Sequence, residues 1–392
     1  MTAGARPIVL ATGGTGGHVF PAEALAGELE TRGMPFELIT DSGGRQWQGA
    51  LARRPIHYIR SASPSGSIGR RLRALPELAL GFAQAWRLLG RIAPAAVVGF
   101  GGYATVPTLM AARMRRLPIM LHEQNAVLGK ANRLALSAAA RIATSFAETK
   151  FVPAGDSRTS LVGNPVREPI RAMRGTPYRA PSAGRVIDLL VFGGSQGAAV
   201  FSQIVPRAIL ALPVDLRSRV RLVQQCRHED LQAVRTSYAQ GGVVAETAPF
   251  FKDMAQRLAA AHLVIARSGS SSVSELGAIG RPSILVPYPH AVDDHQTVNA
   301  RSFEAAGACL VIPQSDFTAE RLARELTALF EAPDRLADMA AAAHRAGRPD
   351  VGERAQQPGH PGLGDAETAG HERERAGEVA EGVGEGGVRR GH

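Results

Sequence analysis

Two glycine-rich turns about 180 residues apart, GGTGGH at Gly13–His18 and GGSQG at Gly193–Gly197, each follow a short apolar run and each open a helical stretch. Glycine removes the side chain that would hold an anion away, so backbone N–H groups at the start of such a helix can close on a phosphate. A chain that carries this device once per half is constrained towards two nucleotide-type α/β folds facing one cleft. The length agrees, because 392 residues exceed what a single hydrophobic core ordinarily serves.

Around these turns the chain alternates apolar runs of four to seven residues with amphipathic segments. PIVLAT, FELIT, AAVVGF, LPIMLH and ARIATSF in the first half, and VIDLLVF, RVRLVQQ, AHLVIA and PSILVPY in the second, read as buried parallel strands joined by crossover helices. The expected organisation is an α/β chain with a Rossmann-like doubly wound domain at 1–165, a Pro- and Arg-dense connection at 166–185 and a second Rossmann-like domain at 186–345. The tail at 346–392 is expected to be disordered, since it has no aromatic residue and too little apolar surface to offset its ordering entropy. Residues 345–392 carry a net charge of −2, which leaves +12 on the rest of the chain. A basic body suits nucleotides, nucleic acid or an anionic membrane surface without choosing among them. No apolar run approaches the ~20 residues of a membrane helix. The run before the first glycines is too short for the core of a signal peptide, so a cytoplasmic chain is expected. Cys226 and Cys309 lack zinc-site spacing and read as free buried thiols.

Several motifs admit a chemical and a plain reading. GGTGGH lacks the third glycine of the dinucleotide fingerprint, which weakens a dehydrogenase reading although Asp41 sits where a ribose-binding acid would. His18 falls at the positive end of a helix, which disfavours imidazolium and points to a neutral ring able to accept a proton; the plain reading is a structural first-turn histidine. Ser195 with the amides of Gln196 and Gly197 suits a diphosphate, or forms a tight turn with no ligand. In RSGSSSVSE the serines offer caps and free hydroxyls, and Glu275 is either a ribose-binding carboxylate or an ordinary surface one. Asp293, Asp294 and His295 hint at a metal, but adjacent carboxylates diverge and no second cluster completes a shell. His295 and Gln296 fit sugar hydroxyls better. Arg70, Arg71 and Arg73 lead Leu75, Leu78, Phe82 and Trp86 at helical spacing, the pattern of an interfacial membrane contact or of simple core packing.

Taken in order, GGTGGHVFPAEALA, GFGGYATVP, LHEQNAVLGKANR, VGNPVR, GGSQGA, RSGSSSVSE and DDHQTVNA resemble the bacterial MurG family over about residues 7–345. The resemblance implies the GT-B glycosyltransferase fold and an inverting transfer of GlcNAc from UDP-GlcNAc to the C4 hydroxyl of MurNAc in lipid I, undecaprenyl-pyrophosphoryl-MurNAc-pentapeptide, giving lipid II for peptidoglycan. It implies no cofactor, no metal and no nucleic acid. The partners implied are UDP-GlcNAc, lipid I, an anionic membrane surface and cell-wall synthesis complexes, with a peripheral place on the cytoplasmic face of the inner (plasma) membrane.

Residue by residue, it implies donor contacts from Thr15, Gly16, Gly17, Asn125, Arg167 and Ser195. The nucleoside pocket takes Ser270, Ser271, Ser272 and Glu275, with Phe251 near the uracil and Gln296 on the GlcNAc. His18 stands in the place of the general base, and the stretch from Arg70 to Trp86 in the place of the membrane patch. One departure concerns the end of the chain, where the family's apolar last helix is replaced after Gly347 by polar, Gly-rich sequence, so a tie between the domains is expected to be lost. The competing readings are another GT-B glycolipid glycosyltransferase or a UDP-GlcNAc epimerase, which HEQN and DDHQTVNA together argue against, and an inactive UDP-sugar-binding relative.

Overall fold

The computed structural model describes residues 5–13, 16–41, 49–62, 68–194 and 197–347, with the backbone alone for 68–73. The described strands form two wholly parallel sheets. The first contains β1 (Ile8–Ala11), β2 (Phe36–Asp41), β3 (Ile56–Ile59), β4 (Ala96–Gly99), β5 (Ile119–Glu123), β6 (Arg141–Thr144) and β7 (Thr159–Leu161), in the order β3-β2-β1-β4-β5-β6-β7. The second contains β8 (Ile187–Phe192), β9 (Val220–Gln225), β10 (Val244–Ala248), β11 (Leu263–Ala266), β12 (Ser283–Leu285) and β13 (Cys309–Val311), in the order β10-β9-β8-β11-β12-β13.

The apolar runs are continuous because both faces of each sheet are covered. Successive strand residues point to opposite faces. Val9 therefore joins Ala85, Leu89 and Leu109 on one side of the first sheet, while Ile8 and Leu10 meet Ala22, Ala26 and Leu29 on the other. In β8, Leu189 and Val191 face Phe201 and Leu326, whereas Leu190 and Phe192 face Leu258 and Leu276. Residues 166–185 are packed on the second half. Val166 and Ile170 are buried in its core, Ile170 from the short helix Glu168–Ala172, and the Tyr178 hydroxyl donates to the carbonyl of His262. Cys226 and Cys309 are free and buried, and burial pushes the Cys226 thiol up to about 11. The tail from 348 lies outside the described residues.

The strand order fixes where a ligand site forms. In each sheet the chain leaves a central strand to one side and later returns to its other side, so β1 is flanked by β2 and β4, and β8 by β9 and β11. Beyond the carboxyl ends of such strands the connections diverge and open a crevice. The turns that begin at Gly13 and Gly193 follow β1 and β8, so each sits at its sheet's switch point.

Candidate active site

At the first crevice His18 stands in the opening turn of the helix Gly16–Thr31, half-buried. Its Nδ1 lies 3.0 Å from Gln124 Oε1, just past the end of β5. The turn after β4 lies against the ring. Gly101 and Gly102 have φ of +89° and +82°, and a Cβ on them would sit 3.2 Å from His18 Cε1 and 3.4 Å from His18 Cδ2. Only glycine combines that backbone conformation with so close an approach. Behind Gln124, the buried His122 is held well below its usual range, to about 4, chiefly by burial. Glu123 organises the following loop, accepting from Asn125 N at 3.1 Å, Gly129 N at 2.8 Å and Asn132 Nδ2 at 2.9 Å.

The second crevice is charged. Arg167 donates to Glu275 Oε1 at 3.0 and 2.7 Å, and its guanidinium lies 5.5 Å from the Phe20 ring of the first half. Burial pushes the Glu275 carboxyl up, against the pull of the Arg167 guanidinium. Ser270 begins the helix Ser270–Ile279 and is buried, with Ser271 and Ser272 half-buried beside it. Ser271 joins Phe20, Pro165, Val166, Arg167 and Glu275 around a small crevice. Arg267 is buried and donates to the carbonyls of Val286 and Pro287 and to Gln314 Oε1. Gln225, at the end of β9, clamps the second glycine turn by accepting from Gly193 N and donating to Gly194 O.

The two crevices are tied together by the helix His295–Ala305. Asn299, fully buried, accepts from Ala126 N at 2.8 Å and donates to Asn125 Oδ1 at 3.1 Å and Ser268 O at 3.2 Å. Asp293 pairs with Arg133 and, at 3.7 Å, with Lys130, while Asp294 accepts from Thr297 Oγ1. The two adjacent carboxylates thus point to different partners. His295 Nδ1 donates to Val292 O, and Gln296 accepts from Tyr288 N through its side chain and from Ser268 Oγ through its carbonyl.

The structure therefore gathers His18, Gly17 and Asn125 on the first side, and Arg167, Ser270, Ser271, Ser272, Glu275 and Gln296 on the second. Gly16 begins the helix that carries His18. Thr15, Ser195 and Gln196 lie outside the described residues. Phe251 is buried with the Arg257 guanidinium 4.2 Å over its ring, whereas its neighbour Phe250 is 66% exposed. Gln124, His122, Gln225 and Asn299 were not singled out from the sequence, although all but Gln225 stand inside motifs that were.

The stretch from Arg70 to Trp86 forms the helix Ile68–Ile92, and the side chains of Arg70, Arg71 and Arg73 lie outside the described residues. Phe82 and Trp86 are half-buried against the first core, and Arg115 stacks 4.2 Å over Trp86. Leu78 is half-buried as well, so the outward apolar groups are Leu75, 60% exposed, and Leu80, 49% exposed. Met114, 60% exposed, ends the adjoining helix between the exposed Arg113 and the loop residue Arg116.

Two wholly parallel sheets with crevices at their switch points form the two-domain α/β architecture on which sugar-nucleotide enzymes are built. Residues 8–144 match the glycosyltransferase family 28 N-terminal domain, and residues 188–355 the glycosyltransferase family 28 C-terminal domain. Among curated relatives, the UDP-N-acetylglucosamine–N-acetylmuramyl-(pentapeptide) pyrophosphoryl-undecaprenol N-acetylglucosamine transferase of Rhodospirillum centenum is 52% identical over 375 residues, 95% of this chain and 99% of that protein. The protein of the same name from Methylobacterium sp. strain 4-46 is 51% identical over 357 residues, 90% of this chain and 96% of its own. The crystal structure of Acinetobacter baumannii MurG superposes with a TM-score of 0.73 at 30% identity, covering 89% of this chain and 97% of that one. A UDP-GlcNAc 2-epimerase from Neisseria meningitidis shares the fold at a TM-score of 0.59 and 12% identity, covering 88% of this chain and 98% of that one. The chain belongs to the MurG family of glycosyltransferases.

Proposed function

We propose that this chain transfers N-acetylglucosamine from UDP-GlcNAc to lipid I, as an inverting enzyme that joins the sugar to the C4 hydroxyl of MurNAc and yields lipid II. The observation that carries the chemistry is the half-buried His18, whose Nδ1 is tied to Gln124 while its Nε2 has no described partner. In this reading His18 Nε2 takes the proton of the acceptor hydroxyl as it attacks the anomeric carbon from the face opposite the diphosphate. The product is then a β-linkage. Gly16, Gly17 and Asn125 line the donor from the first half, with Thr15 and Ser195 assigned from their motifs. Glu275 faces the ribose, Ser270, Ser271 and Ser272 line the nucleoside pocket with it, Phe251 faces the uracil, and His295 and Gln296 the sugar.

Arg167 and the helix N-terminus at Ser270 offset the charge that develops on the departing diphosphate. That role would leave transfer intact in EDTA; a strict Mg²⁺ or Mn²⁺ requirement would count against it. The domains in this reading are 1–165 and 186–345, joined by 166–185. The decisive assay follows radiolabelled GlcNAc from the donor to a lipid I analogue. Binding of UDP-GlcNAc without transfer would leave only the reading as an inactive sugar-nucleotide binder.

The acceptor's lipid tail calls for a membrane contact, and we assign it to the helix Ile68–Ile92 on the cytoplasmic face of the inner membrane. Among the described residues no helix is long and apolar enough to cross a bilayer. Leu75 and Leu80 supply exposed apolar side chains to the interface, Phe82 and Trp86 brace the helix from the core side, and the arginines meet anionic lipid. Near a charged bilayer each Arg contributes ~1 kcal/mol, so replacing Arg70, Arg71 and Arg73 together by Gln should weaken vesicle binding by roughly two orders of magnitude. Transfer to a water-soluble acceptor should barely change. Sedimentation of the triple variant with anionic vesicles at the parent level would move the membrane contact elsewhere. Docking with cell-wall synthesis complexes would follow from the same location.

A further inference from the structure

The hydrogen bonds behind His18 have a direction, and it can be read from their buried end. The carbonyl of Gly163, which can only accept, lies 3.3 Å from His122 Nε2, so that nitrogen carries the ring proton. Burial depresses His122 to about 4, so near neutral pH the ring is uncharged and its Nδ1 bears a lone pair. Gln124 Nε2 stands 2.9 Å from that lone pair, 3.0 Å from the Phe100 carbonyl and 3.1 Å from the His122 carbonyl. Three acceptors around one terminal atom identify it as the amide nitrogen, because the flipped amide would press an oxygen against all three. Gln124 Oε1 is thereby fixed towards His18 Nδ1 at 3.0 Å, and only a proton on Nδ1 satisfies the pair. The close approach of Gly101 and Gly102 holds the plane of the ring.

We propose that Gln124, oriented by His122, is a positioning residue that holds His18 in its Nδ1–H tautomer and so leaves the Nε2 lone pair for the acceptor hydroxyl. The proposal rests on the reading of His18 as the general base. A histidine ring free in water favours the opposite tautomer, with the proton on Nε2, which cannot accept the hydroxyl proton at that atom. The partner of one ring nitrogen decides which form is present. In the transfer step the acceptor O–H bond breaks and its proton joins His18 Nε2. The oxygen's electron pair forms the bond to the anomeric carbon, and the bond from that carbon to the diphosphate oxygen breaks with its pair leaving on UDP. The imidazolium keeps its Nδ1–H on the Gln124 carbonyl and then returns the new proton to water. A protonated His18 further disfavours charge on His122, so the positive charge stays on the outer ring.

Nitrogen NMR of the ¹⁵N-histidine-labelled protein reads the tautomer directly, and neutral His18 should show a protonated Nδ1 and a bare Nε2. Gln124→Leu should shift the ring towards the Nε2–H form. It should lower kcat roughly 10- to 100-fold, by analogy with the partners that orient metal-bound histidines. KM for UDP-GlcNAc should stay within about twofold, since Gln124 itself makes no proposed donor contact and Asn125 keeps its bonds to Glu123 and Asn299. Placed in a His18→Ala background, the same change should cost nothing further, because it acts through the ring. A parent spectrum with the proton on Nε2 overturns the proposal without any variant, as does a Gln124→Leu loss undiminished in the His18→Ala background. Near-parental kcat in His18→Ala fells the general base and the proposal together. A crippled His18→Ala beside an Nε2–H parent spectrum fells the proposal alone.

Discussion

The two crevices of this chain arise at the same kind of switch point yet are lined by opposite chemistry. Behind His18 the hydrogen-bonded chain is neutral: a glutamine amide, a histidine kept uncharged by burial, and the carbonyls of Phe100 and Gly163 that these two meet, while the Glu123 carboxylate of the same strand turns to the loop amides and Asn132. Around Glu275 they are ionic, with Arg167 paired to the carboxylate and Arg267 buried under the same set of loops. The contrast fits the division of roles proposed for the two sides. Moving a proton at neutral pH needs a ring whose protonation is set by geometry, and a strong nearby charge would pin it in one state. Holding a diphosphate needs fixed positive charge and aimed N–H groups that require no rearrangement.

The sharpest way to break this comparison is to remove one residue from each side and ask which kinetic quantity moves. His18→Ala should lower kcat by ~10²–10⁴-fold, the usual contribution of a positioned general base, with UDP affinity affected far less. Glu275→Ala should show the reverse emphasis. A hydrogen bond to a charged group is worth ~1.5–3 kcal/mol, so calorimetry should find UDP and UDP-GlcNAc both weakened by roughly 10- to 150-fold. An unchanged UDP affinity in that variant would remove Glu275 from the nucleotide pocket, and an unaltered kcat in His18→Ala would dissolve the distinction between the two sides.

The linked titration of His122 gives an effect of similar free energy, read in stability. Its folded pKa, about 4, lies below the ~6.5 of an unperturbed histidine, so between those values the unfolded chain binds more protons. Stability from this site is therefore complete above about pH 6.5 and is lost as pH falls towards 4, on the order of 3 kcal/mol at 1.36 kcal/mol per pH unit. Denaturant unfolding of the parent should show this acid-side decline, and His122→Gln should flatten it. A parent curve that is level between pH 6.5 and 4 would mean that the ring titrates normally, and that the first crevice is not the neutral environment described here.

The smallest change concerns the tie between the sides. Asn299→Ala leaves Ala126 N without its acceptor in a buried position and should cost ~1–3 kcal/mol of unfolding free energy, measured by urea denaturation. Because Asn299 also steadies Asn125, transfer should fall even in variants that remain fully folded. Unaltered stability and turnover would show that the two halves meet independently of this bond.

Much of this was legible in the chain. The runs read as strands coincide with the central strands of both sheets, where helices on each face demand unbroken apolar sequence. β3, β7, β10 and β13 escaped that reading, and all four are sheet edges. β7 and β13 are three residues long, and β10 exposes Val244 and Glu246 and buries a polar Thr247, so the apolar signal is short or interrupted. The glycine turns, His18, Glu275 and the HEQN and DDHQTVNA motifs were visible because glycine conformation and polar residues beside apolar runs are local signals. The partners of those residues were not. That Gln124 turns its carbonyl to His18, that Arg167 reaches across 108 residues to Glu275, and that Asn299 bonds a loop 173 residues earlier were decided only when strand order brought the ends of β1, β4, β5, β8 and β11 together. The sequence by itself determined which chemistry the chain carries, because composition and local spacing are written residue by residue. Tertiary structure alone decided which atoms face which, because hydrogen-bond direction and tautomer depend on groups that no linear pattern brings within 3 Å.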